Sequence, residues 1–157
     1  MTTGNIEILL VEDNVDDVEL AVRALRREKL ANEITVARDG EEALDVIFCR
    51  GAHAGRTFQN PPRVVLLDLK LPKVQGLEVL KAIKSDPRTK AIPVVIMTSS
   101  REERDLVDSY KLGVNAYVQK PVDFEQFRSM VKELGLFWVV MNQAPPPRAF
   151  EPNGQGQ

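Results

Sequence analysis

Five short apolar runs rich in β-branched residues alternate with five amphipathic stretches, and that alternation constrains the fold more than any other feature. The runs are Ile6–Val11, Ile34–Ala37, Val64–Leu67, Ile92–Met97 and Ala116–Val118. Each is too short for a helix and reads as a strand buried on both faces. The stretch from Asn14 to Lys29 sets Val18, Val22 and Leu25 on one face. Its acids (Asp16, Asp17, Glu19) come early and its bases (Arg23, Arg26, Arg27, Lys29) late, as a helix dipole favours. A second helix opens with Asp39 and Glu42 in capping-box spacing. A third carries Val79, Leu80 and Ile83 and stops before Pro87. A fourth pairs Ser100 with Glu103 and ends at Gly113, and a fifth opens at Asp123 with Gln126. Five such units predict an α/β fold with a parallel sheet covered by helices on both sides.

At 157 residues the chain has room for one domain and a short appendage. The expected domain runs over 1–141, and the Pro-, Gly-, Asn- and Gln-rich stretch 142–157 reads as a flexible tail. The Gly/Pro-rich connection from Arg50 to Pro62 reads as a surface loop, with His53 an exposed part of it. Lys and Arg number 21 against 23 Asp and Glu, a net charge of −2, so nucleic acid is not the expected partner. One cysteine, Cys49, excludes an internal disulfide or a Cys pair for metal, and one histidine makes a His-based triad a poor fit. The first residues lack a basic region followed by an apolar core, so no signal peptide is expected. The apolar run from Leu134 to Met141 is far shorter than the ~20 residues that span a bilayer. A cytoplasmic location is expected, with no membrane contact.

In open α/β sheets ligands bind beyond the carboxyl ends of the strands. Strand one ends in Glu12-Asp13, strand three in Asp68, strand four in Thr98 followed by Ser99 and Ser100, and strand five in Lys120-Pro121. Singly, each has a bland explanation: a helix cap, a turn, a solvated charge. Together they place three carboxylates, a hydroxyl and an ammonium on one rim. Clustered carboxylates repel unless a cation neutralises them. Hard oxygen ligands suit Mg²⁺, which also grips phosphate. Beside such a cation one carboxylate can attack phosphorus, with Thr98 and Lys120 stabilising the transferred group.

The segments Leu9-Leu-Val-Glu-Asp-Asn14, Leu66-Leu-Asp-Leu-Lys-Leu-Pro72 with Gly76, Met97-Thr-Ser-Ser100 and Ala116-Tyr-Val-Gln-Lys-Pro121 resemble the receiver domain of two-component response regulators. The resemblance covers Ile6 to Leu136. It implies a CheY-like, flavodoxin-like doubly wound sheet of five parallel strands in the order 2-1-3-4-5 with five helices. It further implies that Asp68 accepts a phosphoryl group from a sensor histidine kinase. Glu12, Asp13, Asp68 and the backbone carbonyl of Lys70 would bind Mg²⁺, and Thr98 and Lys120 would contact the phosphoryl group. Tyr117 occupies the aromatic switch position, and the Lys120–Pro121 bond is expected to be cis. Lys70 and Gln75 depart from the commonest residues at their positions. The opening motif with Asp16-Asp17, the long loop and the lack of an output domain look most like the stand-alone regulators that partner bacteriophytochromes. The alternative is an intermediate carrier in a phosphorelay fed by a non-photoreceptor kinase. Either way the chain is expected to be a signalling protein rather than a conventional enzyme.

Rival classes fit less well. A haloacid dehalogenase-type phosphatase wants an acid where Lys70 stands, and a flavin-binding module would not put Glu12-Asp13 against a phosphate. Leu134, Phe137, Trp138 and Met141, widened by Val139 and Val140, extend the apolar stripe of the last helix. A homodimer through the fourth helix, fifth strand, fifth helix and that C-terminal extension is therefore expected.

Overall fold

The computed structural model describes residues 7–27, 33–99, 101–120 and 123–130. It contains strands β1 (Glu7–Val11), β2 (Glu33–Ala37), β3 (Val64–Leu67), β4 (Val94–Thr98) and β5 (Ala116–Gln119). The helices are α1 (Val15–Arg27), α2 (Gly40–Ile47), α3 (Gly76–Ser85), α4 (Glu103–Lys111) and α5 (Phe124–Met130). A 3-10 turn lies at Gly51–His53. All strands pair in parallel in the order β2-β1-β3-β4-β5, the flavodoxin-like arrangement expected.

Strand alternation splits the core into two layers. Leu9, Val11, Val65, Leu67, Val94 and Ile96 face α2 and α3, where Val46, Val79, Leu80 and Ile83 meet them. Ile8, Leu10, Val64, Leu66, Val95 and Met97 face the other way, onto Val18, Ala21, Ala24 and Leu25 of α1. Because β1 lies between β2 and β3, the chain winds outward in opposite directions from β1 and β3. The carboxyl ends of those two strands flank the switch point where such sheets open a crevice.

The helix starts follow the sequence closely, with one difference. Asn14 caps α1 by accepting the Asp17 N–H at 2.9 Å, and Asp123 and Gln126 bond reciprocally at 2.7 and 3.1 Å. Asp39 accepts the Glu42 N–H at 2.8 Å, but the Glu42 carboxylate takes the amide of Arg38 rather than that of Asp39. Helix α4 starts from Glu102, which makes no side-chain cap bond; Ser100, half of the expected pairing with Glu103, lies outside the described residues.

The long loop is better anchored than its composition suggests. Arg56 makes a two-pronged ion pair with Glu7 at 2.6 and 2.9 Å, and Thr35 donates to the same carboxylate at 2.7 Å. Phe58 meets Phe48 edge-on at 6.3 Å, with the Arg88 guanidinium 4.3 Å above the Phe58 ring. His53 is half-buried within the 3-10 turn, its Nε2 3.9 Å from Glu42, rather than exposed.

Ser109 of α4 is fully buried, and its hydroxyl has no hydrogen-bond partner among the described residues. A buried hydroxyl left unmade costs about 1–3 kcal/mol, and alanine is also the better helix former. Ser109→Ala is therefore expected to stabilise the chain by about 1 kcal/mol, read as a higher urea midpoint at unchanged slope; a lower midpoint would contradict the packing. No described helix is long and apolar enough to cross a membrane. The Lys120–Pro121 bond and the C-terminal stripe and tail lie outside the described residues.

Candidate functional site: an acidic cleft closed by a lysine

The crevice at the switch point is built by the backbone before any side chain enters it. The Glu12 N–H reaches the Ala37 carbonyl at 2.9 Å, the Asp68 N–H the Val11 carbonyl at 3.1 Å, and the Lys120 N–H the Thr98 carbonyl at 2.8 Å. These bonds extend the sheet one step beyond each strand and fix where the next side chains leave it. Glu12, Asp68 and Lys120 continue the alternation of Leu10, Leu66 and Val118, so all three emerge on the α1 side.

Glu12 and Asp68 are buried, 4% and 6% exposed, while Asp13 sits at the surface. One carboxylate oxygen from each of the three lies within 4.8 Å of the others. Lys120 closes the group: its Nζ donates to Glu12 Oε1 at 2.6 Å, Asp17 Oδ2 at 2.8 Å and Asp68 Oδ2 at 3.3 Å. The remaining oxygens are also held. Glu12 Oε2 accepts the Asn14 N–H at 3.2 Å, and Asp68 Oδ1 accepts the Lys70 N–H at 3.2 Å.

Burial pushes the Glu12 carboxyl up to about 7, and the Asp68 charge adds to that while Lys120 opposes it. Burial alone would lower Lys120, but its bonds to Asp17 and Glu12 and the Asp68 charge override this and hold it above the ordinary lysine value. The site thus has more acid than one ammonium neutralises. Three hard carboxylate oxygens at this spacing, partly open to water, fit a divalent cation of the Mg²⁺ type. Lys70 lines the open side of the cleft with Asp13, Val15 and Ser99.

Not every expected residue faces that space. Thr98 is fully buried and continues the alternation of Val94 and Ile96, so it lies on the α3 side of the sheet. Tyr117 is half-buried against the same layer. Among the described residues, the hydroxyl residue that lines the cleft is Ser99. Two participants, Asp17 and Ser99, were not among the expected site residues. Asp17 stands at the third position of α1, four residues after Asp13, where an acid reads equally well as a dipole partner. Gln75 precedes α3 without a side-chain cap.

A family model for the response regulator receiver domain matches residues 8–132. A probable methanogenesis regulatory protein, FilR2, of Methanothrix harundinacea is 44% identical over 140 residues, covering 89% of this chain and 88% of its own. The solved bacteriophytochrome response regulator AtBRR is 55% identical with a TM-score of 0.71, covering 88% of this chain and 99% of that one. The phosphorylated cyanobacterial phytochrome response regulator RcpA is 39% identical with a TM-score of 0.82, covering 90% and 99%. With its sheet order, its acidic cleft and a matched span of this length, the chain belongs to the response regulator receiver family.

Proposed function

We propose that the chain is a response regulator receiver whose Asp68 accepts a phosphoryl group from a sensor histidine kinase with Mg²⁺ bound. The carrying observation is the joint reach of Glu12, Asp13 and Asp68 together with Lys120 Nζ 3.3 Å from Asp68 Oδ2. In this reading Glu12, Asp13, Asp68 and the Lys70 carbonyl would hold the cation, which would supply positive charge for the phosphoryl oxygens. Asp68 attacks phosphorus as the phosphohistidine N–P bond breaks, and the imidazole leaves. Lys120 supplies the second positive charge. Phosphoryl transfer asks little more of a protein than such positioning and charge.

Thr98 and Tyr117 are proposed as the switch. Both lie on the α3 side, so drawing the Thr98 hydroxyl up to the phosphoryl group would vacate space beside Tyr117. That is a local charge change biasing a packed element. Similarity to AtBRR and RcpA supports a phytochrome-type kinase as the donor. We place the chain in the cytoplasm, its own phosphorylation and slow hydrolysis being its only catalysis, with the receiver spanning 1–141 and a tail over 142–157.

Intact mass after incubation with acetyl phosphate tests the chemistry. One phosphate-sized adduct is expected with Mg²⁺ and none with chelator; an adduct independent of metal, or no adduct, overturns the proposal. Output is proposed to run through a homodimer. Leu106, Val107 and Tyr110 are exposed on α4, the helix that leads into edge strand β5, and such apolar and aromatic residues suit an interface. Light scattering at tens of micromolar should give twice the chain mass; a monomer with and without a phosphoryl analogue would refute this.

A further inference from the structure

We infer that Asp17 is a positioning residue of the cleft: it receives Lys120 when a cation claims Glu12 and Asp68. The inference rests on the phosphoryl-accepting, Mg²⁺-binding reading of the site. An ammonium has three donors, and Lys120 spends them on Glu12, Asp17 and Asp68. Two of those acceptors belong to the acidic group that fits the cation; Asp17 does not. A cation arriving among Glu12, Asp13 and Asp68 meets an ammonium already 2.6 and 3.3 Å from two of its ligands. The ammonium must give up at least part of both contacts. Asp17 leaves it a charge-assisted bond at 2.8 Å that no cation competes for.

Local structure frees Asp17 for this role. In a capping box the acid at the third helical position reaches back to the amide of the capping residue. Here Asn14 caps α1 by accepting the Asp17 N–H, yet the Asn14 N–H is taken by Glu12 Oε2 at 3.2 Å. The Asp17 carboxylate has no capping duty and turns to Lys120 instead. Its removal therefore acts unequally on two states. Without cation Lys120 keeps two carboxylates to itself, whereas with cation bound it has to share both of them with the cation.

The consequence is a loss of cation affinity that depends on Lys120. Outer partners of metal ligands are worth 10–100-fold in affinity. By calorimetric titration with MgCl₂ alone, Asp17→Asn is expected to weaken binding about ten-fold, and Asp17→Glu to bind within about three-fold of the wild type, set against that same outer-partner scale. In a Lys120→Met background Asp17→Asn should change affinity by less than about two-fold, which a double-mutant cycle isolates. Equal affinity of wild type and Asp17→Asn overturns the inference while leaving the site reading intact. An equal loss in both backgrounds also overturns it, because the charge of Asp17 would then act on the cation directly. A wild type that takes up no Mg²⁺ overturns the site reading itself. Matching far-UV circular dichroism excludes unfolding as the cause.

Discussion

Asp68→Asn is expected to take up no phosphoryl group from acetyl phosphate, a loss of at least about 100-fold in initial rate, with folding unimpaired. Glu12 and Asp13 do not replace it. Both Glu12 oxygens are committed, one to Lys120 at 2.6 Å and one to the Asn14 N–H at 3.2 Å, and the side chain is almost fully buried. Asp13 is exposed and is not one of the three acceptors of Lys120. Asp68 has one oxygen held in the same way, Oδ1 at 3.2 Å from the Lys70 N–H, but its second oxygen is bound less tightly to the ammonium, at 3.3 Å against 2.6 Å for Glu12. Losing a preorganised charge partner at the reacting centre alone costs about 10²–10³ in rate, and losing the nucleophile costs more. Stability should not fall, because the Asp68 charge opposes ionisation of Glu12 and asparagine removes that repulsion. Intact mass and a thermal melt together check the point. An adduct persisting on Asp68→Asn would mean that another acid is the acceptor.

Much of this site was legible because strand geometry is periodic. Once Glu12, Asp68 and Lys120 are recognised as the residues just past β1, β3 and β5, period-two alternation from Leu10, Leu66 and Val118 sends all three to one side. The same rule sends Thr98 with Ile96 to the other side and leaves Ser99 lining the cleft, a distinction that strand-end position alone does not make. Asp17 was hidden for a different reason: an acid in a first helical turn is expected on dipole grounds alone. Only its 2.8 Å approach to Lys120, from the far end of the chain, separates the two roles. The anchoring of the long surface loop was not legible because Glu7 and Arg56 are 49 residues apart, and no local pattern announces a pair at that separation.

Gly76→Ala is expected to destabilise the chain by about 2–3 kcal/mol and to slow phosphoryl uptake at least about ten-fold. An alanine Cβ there would lie 2.3 Å from the Asp68 carbonyl oxygen and 2.5 Å from Leu69 Cα, both backbone atoms. No side-chain rotation relieves either contact. The Gly76 N–H also donates to the Leu69 carbonyl at 2.8 Å, so α3 cannot draw back without breaking that bond. The opposite flank is equally close: a Cβ on Gly40, at the start of α2, would lie 2.0 Å from the Val74 carbonyl oxygen. The segment from Asp68 to Gly76 is thus held between two helices whose first residues have no side chain. Helix propensity pushes the other way, since alanine is better than glycine inside a helix by about 1 kcal/mol. The sign of the change therefore discriminates. Overpacking against backbone costs about 1–3 kcal/mol and sometimes more. Asp68 would move with its own carbonyl, and displacement of a reacting group by about 1 Å can cost 100-fold. A urea midpoint that rises in Gly76→Ala, with normal uptake from acetyl phosphate, would show that α3 does not press on the Asp68 loop and that the geometry of the acceptor is set elsewhere.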